Sequence, residues 1–329
     1  MKRTLGNIEC TAIGLGCMNL SHGYGQPTDR KQAERILTEA LAIGYSHLDT
    51  ATLYGNGANE TLIGEVLSHR RNEFTLASKC GLGVNEQGVR EVNGRPEVLK
   101  AQCEASLKKL KTDVIDLYYL HRWDQRVPIE ESVGALGDLV KEGKIRQVGL
   151  SEVSATTLDK AHQEHPIAAV QTEYSLWTRN PEIAVLEKCK ALGTTFVSFS
   201  PLGRGFLSAT LPAIDKLDSS DMRQGMPRFQ GAAYQHNLAL LNPVKEVAKA
   251  HNVTAAQIAL AWVLAKAPHI VAIPGTTSYE HLKDNFEAQS IELHADEIAL
   301  LDDVFEPNKI QGHRYPPAMQ VDVDTEEFA

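Results

Sequence analysis

The 329-residue sequence predicts an α/β fold, a closed barrel of eight parallel strands ringed by helices, and two observations carry that prediction. A short apolar, β-branched or aromatic run, then a loop, then an amphipathic helical pattern recurs eight times along the chain. Such alternation leaves two solutions, an open doubly wound sheet or a closed barrel. The open dinucleotide-binding sheet carries G-x-G-x-x-G directly after its first strand. Here the nearest stretch, "GLGCM" at 14–18, lacks the third glycine and runs into a loop. Eight units without that fingerprint favour the (β/α)8 arrangement, the TIM barrel, as a single domain over residues 1–329.

Taken in order, the start "MKRTLGNIEC" reads as a short N-terminal β-hairpin that plugs the bottom of the barrel. The strands are "TAIGLGCM", "SHLDTA", "FTLASK", "VIDLYYLH", "IRQVGLS", "AAVQTEY", "TTFVSFS" and "IVAIPG". The first helix begins near "TDRKQ", where Asp29 caps and Gln32 reaches back from the third helical position; it buries Ile36, Leu37, Ala40 and Leu41 and stops at Gly44. "NETLIGEVLSHR" repeats the stripe with Leu62, Ile63, Val66 and Leu67. "RPEVLKAQCEASLKKL" starts on Pro96 and aligns Leu99, Cys103, Leu107 and Leu110. "PIEESVGALGDLVKEGK" stops at Gly143. A long loop over about 205–237 has no firm periodicity, and the acidic tail over about 307–329 shows no helical stripe. That tail reads first as a frayed terminus and second as a partial lid.

Composition bounds the function. Hydrophobic residues at 43% and charged residues at 23%, without a low-complexity tract, support a large buried core. A net charge of -9 with scattered Lys and Arg excludes a nucleic-acid footprint. Five cysteines, an odd number without C-x-x-C, suit free thiols in a reducing compartment and no zinc site. There is no apolar leader and no run near the ~20 residues a membrane helix needs, so no membrane is implied and the cytoplasm is the expected location.

A barrel gathers its chemistry at the C-terminal ends of its strands. Strand two ends at Asp49, three at Lys79, four at His121, five at Ser151, six at Gln171 and seven at Ser200, and eight runs into "IPGTT". An acid, a cation and an imidazole on successive strands exceed what independent loop caps require. Tyr54 follows Asp49 by five positions. A phenol has an ordinary pKa of about 10, and a neighbouring cation lowers it. Lys79 would supply that cation, Asp49 would hold it ionised, and Tyr54 would become a proton donor tuned toward working pH. His121 would orient a polarised oxygen. With no nucleophilic Ser or Cys motif and no metal-ligand spacing, the remaining reagent is a cofactor. A Schiff-base role for Lys79 needs a lowered pKa, and Asp49 does the opposite.

The chain resembles the aldo-keto reductase superfamily over almost its whole length. The resemblance rests on "YSHLDTATLYGNGANETLIGEVL", "ASK" and "DLYYLH", which reproduce the catalytic tetrad Asp49, Tyr54, Lys79 and His121 in order and spacing. "LVKEGKIRQVGLSEVS", "QTEYSLW", "SPLGRGFL" and "IPGTT" are similar to the branch of perakine-reductase-like and auxin-induced-like proteins and their bacterial relatives. The resemblance implies extended NADP(H) bound without a Rossmann fold, NAD(H) remaining possible, and a small-molecule aldehyde or ketone as substrate. It implies hydride transfer from nicotinamide with Tyr54 as proton donor. It also implies cofactor contacts from Met18, Asp49, Ser151, Gln171, Phe199, Ser200, Pro201, Leu202, Gly203, Arg204, Gly275, Thr276, Thr277, His281 and Asn285.

Three departures stand out. Phe199 replaces the commoner tyrosine and keeps the stacking face. Glu152 stands where many members have Asn, and Gly275 and His281 stand where many present Lys and Arg to a 2′-phosphate, which narrows the margin of NADPH over NADH. Trp123 and Trp177 follow strands four and six and either line an apolar substrate pocket or pack under their own loops. The long loop either closes over the cofactor or is a surface excursion. The alternative function is a cofactor-sensing regulatory subunit like the potassium-channel β-subunits, which retain the tetrad. A barrel that begins almost at residue 1, without a resemblance to their inactivating segment, favours the enzyme.

Overall fold

The structure, a computed structural model, describes residues 1–21, 23–85 and 87–328. Its centre is an eight-stranded all-parallel sheet built from β3 (Leu15–Gly16), β4 (His47–Asp49), β5 (Thr75–Cys80), β8 (Ile115–Leu120), β9 (Ile145–Ser151), β10 (Ile167–Glu173), β11 (Thr195–Phe199) and β12 (Ile270–Ala272), paired in that order. The sheet closes on itself: Ile13 bridges Ala272 in parallel, and the Gly14 and Gly16 amides donate to Ala272 and Pro274 carbonyls at 2.9 and 3.2 Å. Closure leaves no exposed edge.

Strands buried on both faces read as continuous apolar runs. In β8 all six residues are buried; Leu117 and Tyr119 join Val197 and Val271 inside the barrel, while Tyr118 and Leu120 pack outward on the helices. The antiparallel hairpin β1 (Lys2–Leu5) and β2 (Ile8–Thr11) covers the bottom, with Leu5 and Cys10 in the interior cluster and Gly6 donating to Thr195 Oγ1 at 3.0 Å. A second hairpin, β6 (Leu82–Val84) with β7 (Arg90–Val92), follows β5 and gave no recognisable alternation in the sequence.

The outer ring contains α1 (Arg30–Ile43), α2 (Ala58–Leu67), α3 (Pro96–Leu110), α4 (Ile129–Lys141), α5 (Ala155–Glu164) and α6 (Val185–Leu192). Further along come α7 (Gly231–Ala239), α8 (Leu241–His251), α9 (Ala255–Lys266), α10 (Tyr279–Glu287), α11 (Ala295–Val304) and the single turn α12 (Pro317–Gln320). Asp29 caps α1 as expected, accepting from Lys31 and Gln32 amides, and Gly44 ends it at φ 115°. Gln32 does not reach back to the cap: its Nε2 donates to the Thr277 carbonyl at 2.7 Å, tying α1 to the loop after β12.

Two expectations are corrected. The segment over 205–237 is not structureless, since α7 begins at Gly231 and short 3-10 turns precede it; "GAAYQHNLA" lacks an apolar stripe because Tyr234 and Asn237 are its only buried residues. The tail is not frayed. Asp324 and Glu326 side chains accept from the Ser154 and Ala155 amides at 2.8 Å each, so the tail caps the first turn of α5, and Arg90 pairs with Asp322. All five cysteines are buried and unpaired. No helix among the described residues is long and apolar enough to cross a membrane.

Candidate active site

The C-terminal ends of β4, β5 and β8 bring three of the predicted side chains toward Tyr54. After β4 the chain turns through Gly55, Asn56 and Gly57, all left-handed with φ of 57°, 51° and 88°. Only small or Asn-type residues adopt that run cheaply, which accounts for "YGNG". Asn59, at the start of α2, is buried; it accepts from Thr50 Oγ1 at 2.6 Å and donates to the Cys17 carbonyl at 2.8 Å, locking the turn to the strands on either side.

Lys79 has no solvent exposure, and its ammonium donates to Asp49 Oδ1, to the Thr50 carbonyl at 2.8 Å and to the Tyr54 hydroxyl at 3.2 Å. Those are the three donors an ammonium has. Lysine offers no acceptor, so the Tyr54 proton points elsewhere, and Tyr54 borders the cleft. The His121 ring stands edge-on to Tyr54, centroids 5.9 Å apart. Asp49 Oδ2 accepts from Gln171 Nε2 at 2.8 Å, so Gln171 spends one N–H on the acid.

The electrostatics differ from the expectation of an acidified phenol. Burial pushes the Tyr54 hydroxyl above the ordinary tyrosine range, and Lys79 pulls against that shift without cancelling it. Burial alone would lower Lys79, but Asp49 and Tyr54 hold it above the usual lysine value. The site at neutral pH therefore holds a protonated phenol beside a full ammonium.

The cleft that Tyr54 borders has a volume of about 450 Å³. Among the predicted residues it is lined by Met18, Asp49, Tyr54, Gln171, Phe199, Ser200, Pro201, Leu202, Arg204, Gly275, Thr276, Thr277, His281 and Asn285. Lys79 and His121 adjoin the cleft through Tyr54, which they contact; Ser151 Oγ accepts from Arg122 Nη1 at 3.2 Å, and Gly203 packs under Trp177. Arg204 borders the cleft, but its guanidinium is committed to Glu173 at 2.7 Å and the Tyr315 hydroxyl at 2.8 Å. Glu152 is also turned away: it accepts from Arg314 at 2.8 Å, Thr325 at 2.7 Å and the Glu173 amide at 3.0 Å.

Neither tryptophan borders the cleft. Trp123 Nε1 donates to the Val127 carbonyl at 2.9 Å within its own loop, and Trp177 is buried with its ring stacked on Phe206 at 3.9 Å between centroids. The residues that sequence reasoning missed lie mainly on two loops that touch each other at the cleft. Tyr24 lies under the Arg223 guanidinium at 4.9 Å, and the Met222 amide donates to the Gly23 carbonyl at 3.1 Å. Thr210, Leu211 and Pro212 complete that side. No motif marks them; a juxtaposed pair of loops leaves no local pattern. Asn19 also lines the cleft and leaves no room for a side chain at Gly275, where a Cβ would lie 2.4 Å from Asn19 Oδ1 and 2.8 Å from the Gly16 carbonyl.

Residues 12–306 match the Aldo/keto reductase family. The chain belongs to the aldo-keto reductase family. It is 39% identical over 321 residues to the aldo-keto reductase yakc of Schizosaccharomyces pombe, whose name carries NADP(+), covering 96% of this chain and 94% of that protein. Among solved structures, a glycerol dehydrogenase from Gluconobacter oxydans superposes with a TM-score of 0.85 at 25% identity over 96% of this chain and 99% of that one. An aldo/keto reductase from Klebsiella pneumoniae in complex with NADP and acetate gives a TM-score of 0.74 at 28% identity over 96% and 98%. As an aldo-keto reductase the chain is an oxidoreductase, and the Asp49, Tyr54, Lys79 and His121 cluster lies at the barrel end where strand ends and loops meet.

Proposed function

We propose that this aldo-keto reductase reduces an aldehyde or ketone to an alcohol with NADPH, Tyr54 giving the proton. The observation that carries the reading is the buried chain Asp49, Lys79, Tyr54, whose last member borders the cleft. The NADP(+) in the name of the fission-yeast relative and the NADP in the Klebsiella complex support the choice of cofactor.

The residues fit a dinucleotide. Phe199 would offer a flat apolar face in the cleft that Gln171 and Tyr54 also line, and Ser200, Pro201, Leu202, Thr276 and Thr277 belong to the same wall. The Ser278 side chain caps α10, whose N-terminal amides and dipole favour an anion. With Arg204 held by Glu173 and Arg223 by Asp221, phosphates would rest on hydroxyls, backbone N–H groups and that helix end more than on cations.

Bound there, the dihydronicotinamide supplies a hydride. Tyr54 donates its proton to the developing alkoxide, and Lys79 stabilises the phenolate that this leaves. Asp49 keeps Lys79 charged and in place, and His121 orients the carbonyl oxygen. Burial keeps Tyr54 protonated until that moment. The test is turnover of a generic aldehyde with NADPH, followed at the reduced-nicotinamide absorbance, for the parent and Tyr54→Phe. Turnover lost with cofactor binding kept supports the reading; equal turnover overturns the acid assignment.

A further inference from the structure

A second cavity, of about 250 Å³, has Trp177, Arg179, Arg228, His313 and Arg314 in its wall and shares no wall residue with the cleft. Its wall is rich in donors and poor in available acceptors. The Arg314 side chain is 4% exposed; Nη2 donates to Glu152, while the buried Nε and Nη1 meet no acceptor among the described residues. Trp177 is 2% exposed, and its Nε1 likewise meets none. Indole and guanidinium nitrogens donate and never accept.

The charges point the same way. Arg179 is paired with Glu182, and Arg314 with Glu152. Arg228 reaches only neutral oxygens, the Trp177 carbonyl, the Gly312 carbonyl at 3.1 Å and the Thr178 hydroxyl at 2.9 Å, and forms no ion pair with a described carboxylate. Burial holds this guanidinium down at about 10, the sign of a cation short of compensation. Among the described residues the wall has one acid, Glu327, which already accepts from Asn180 at 3.0 Å and Gln320 at 2.7 Å. Orphaned N–H donors around an unpaired guanidinium suit a ligand that brings oxygens and negative charge, and they repel a metal cation.

We propose that this cavity binds a small oxyanion, a carboxylate or a phosphate, held by Arg228, Arg314 and the Trp177 indole N–H. The site is outside the reductase cleft, and its Trp177 wall is stacked on Phe206, in the segment that follows the cleft residue Gly205.

The test is calorimetric titration of the full chain with inorganic phosphate and, separately, acetate, at ionic strength held constant with chloride. The parent, Arg228→Met and Trp177→Phe are compared. Trp177→Phe keeps an aromatic face on Phe206 and under Arg228 while removing the indole donor, so it reports even where Arg228→Met fails to fold. Saturable binding of either ion, at least tenfold weaker in Arg228→Met and several-fold weaker in Trp177→Phe, supports the proposal, and the tighter ion identifies the ligand class. Absence of saturable binding of both ions overturns it. Binding that is unchanged in the variants also overturns it, by placing the ion elsewhere, as in the reductase cleft.

Discussion

Lys79 donates to the Tyr54 hydroxyl at 3.2 Å while ion-paired with Asp49, and all three side chains are buried. The ammonium thus has one carboxylate to keep it charged and one phenol to act upon. A charge in that position matters most after proton transfer, when the phenol has become a phenolate in a dry site.

Tyr54→Phe removes the donor and keeps the ring beside His121. Carbonyl reduction should fall by about 10² to 10⁴-fold, the usual worth of a positioned acid. NADPH affinity, followed by tryptophan fluorescence, should change little. Retained turnover would reassign the acid.

The alkaline stability of the fold should depend on this pair. Lys79 and Tyr54 both titrate in the folded chain above their ordinary values. A group raised on folding contributes fully below its unfolded value, about 10 for either side chain, and its contribution is lost as pH rises through the folded value. Urea unfolding at increasing pH should therefore show stability falling above about pH 10. In Asp49→Asn the buried ammonium loses its counter-ion, at a cost of about 3 to 5 kcal/mol. Burial then lowers Lys79 instead of being overcome, so the alkaline fall should shrink. A fall of the same size in the variant would show that the ion pair does not set it.

Glu152→Asn restores the residue common in the family, yet it should destabilise. The side chain is the counter-ion of buried Arg314 and the acceptor for Thr325. Breaking such a pair costs about 3 to 5 kcal/mol. Position 152 has φ 55°, which Asn tolerates well, so a small part is recovered. Thermal unfolding should show a marked loss; an unchanged midpoint would mean that Arg314 finds another partner.

His281→Arg places a cation in the first turn of α10, at an exposed position on the cleft. NADPH should tighten by about 1.5 kcal/mol, the low end for a hydrogen bond to a charged group, and NADH much less. Parallel titrations with the two cofactors check it, and equal gains would show that this turn does not face a 2′-phosphate. The matching change at Gly275 is not available, since a Cβ there collides with Asn19 and the Gly16 carbonyl.

What was readable in the chain was whatever repeats or clusters locally. Strands buried on both faces need unbroken apolar runs, helices need a stripe and a cap, and strands two to seven each carried a polar residue within two positions of the strand's last residue. That was enough to place Asp49, Tyr54, Lys79 and His121 on one rim. The "YGNG" turn is built from Gly and Asn, which take its left-handed backbone at least cost.

What only the tertiary structure decided were contacts between segments distant in the chain, and the balance of forces inside them. The tail carries no helical stripe because its anchors are scattered: side-chain oxygens cap α5, Arg314 meets Glu152, and single apolar residues, Ile310, Tyr315, Met319 and Val323, pack on the core. Arg204 reads as a phosphate ligand by its neighbours, yet Glu173 and Tyr315, 31 and 111 positions away, claim its charge. The sign of the Tyr54 shift likewise lay outside the sequence: residue identities show which charges are present, while the depth of burial, a property of the whole fold, decides that desolvation outweighs Lys79.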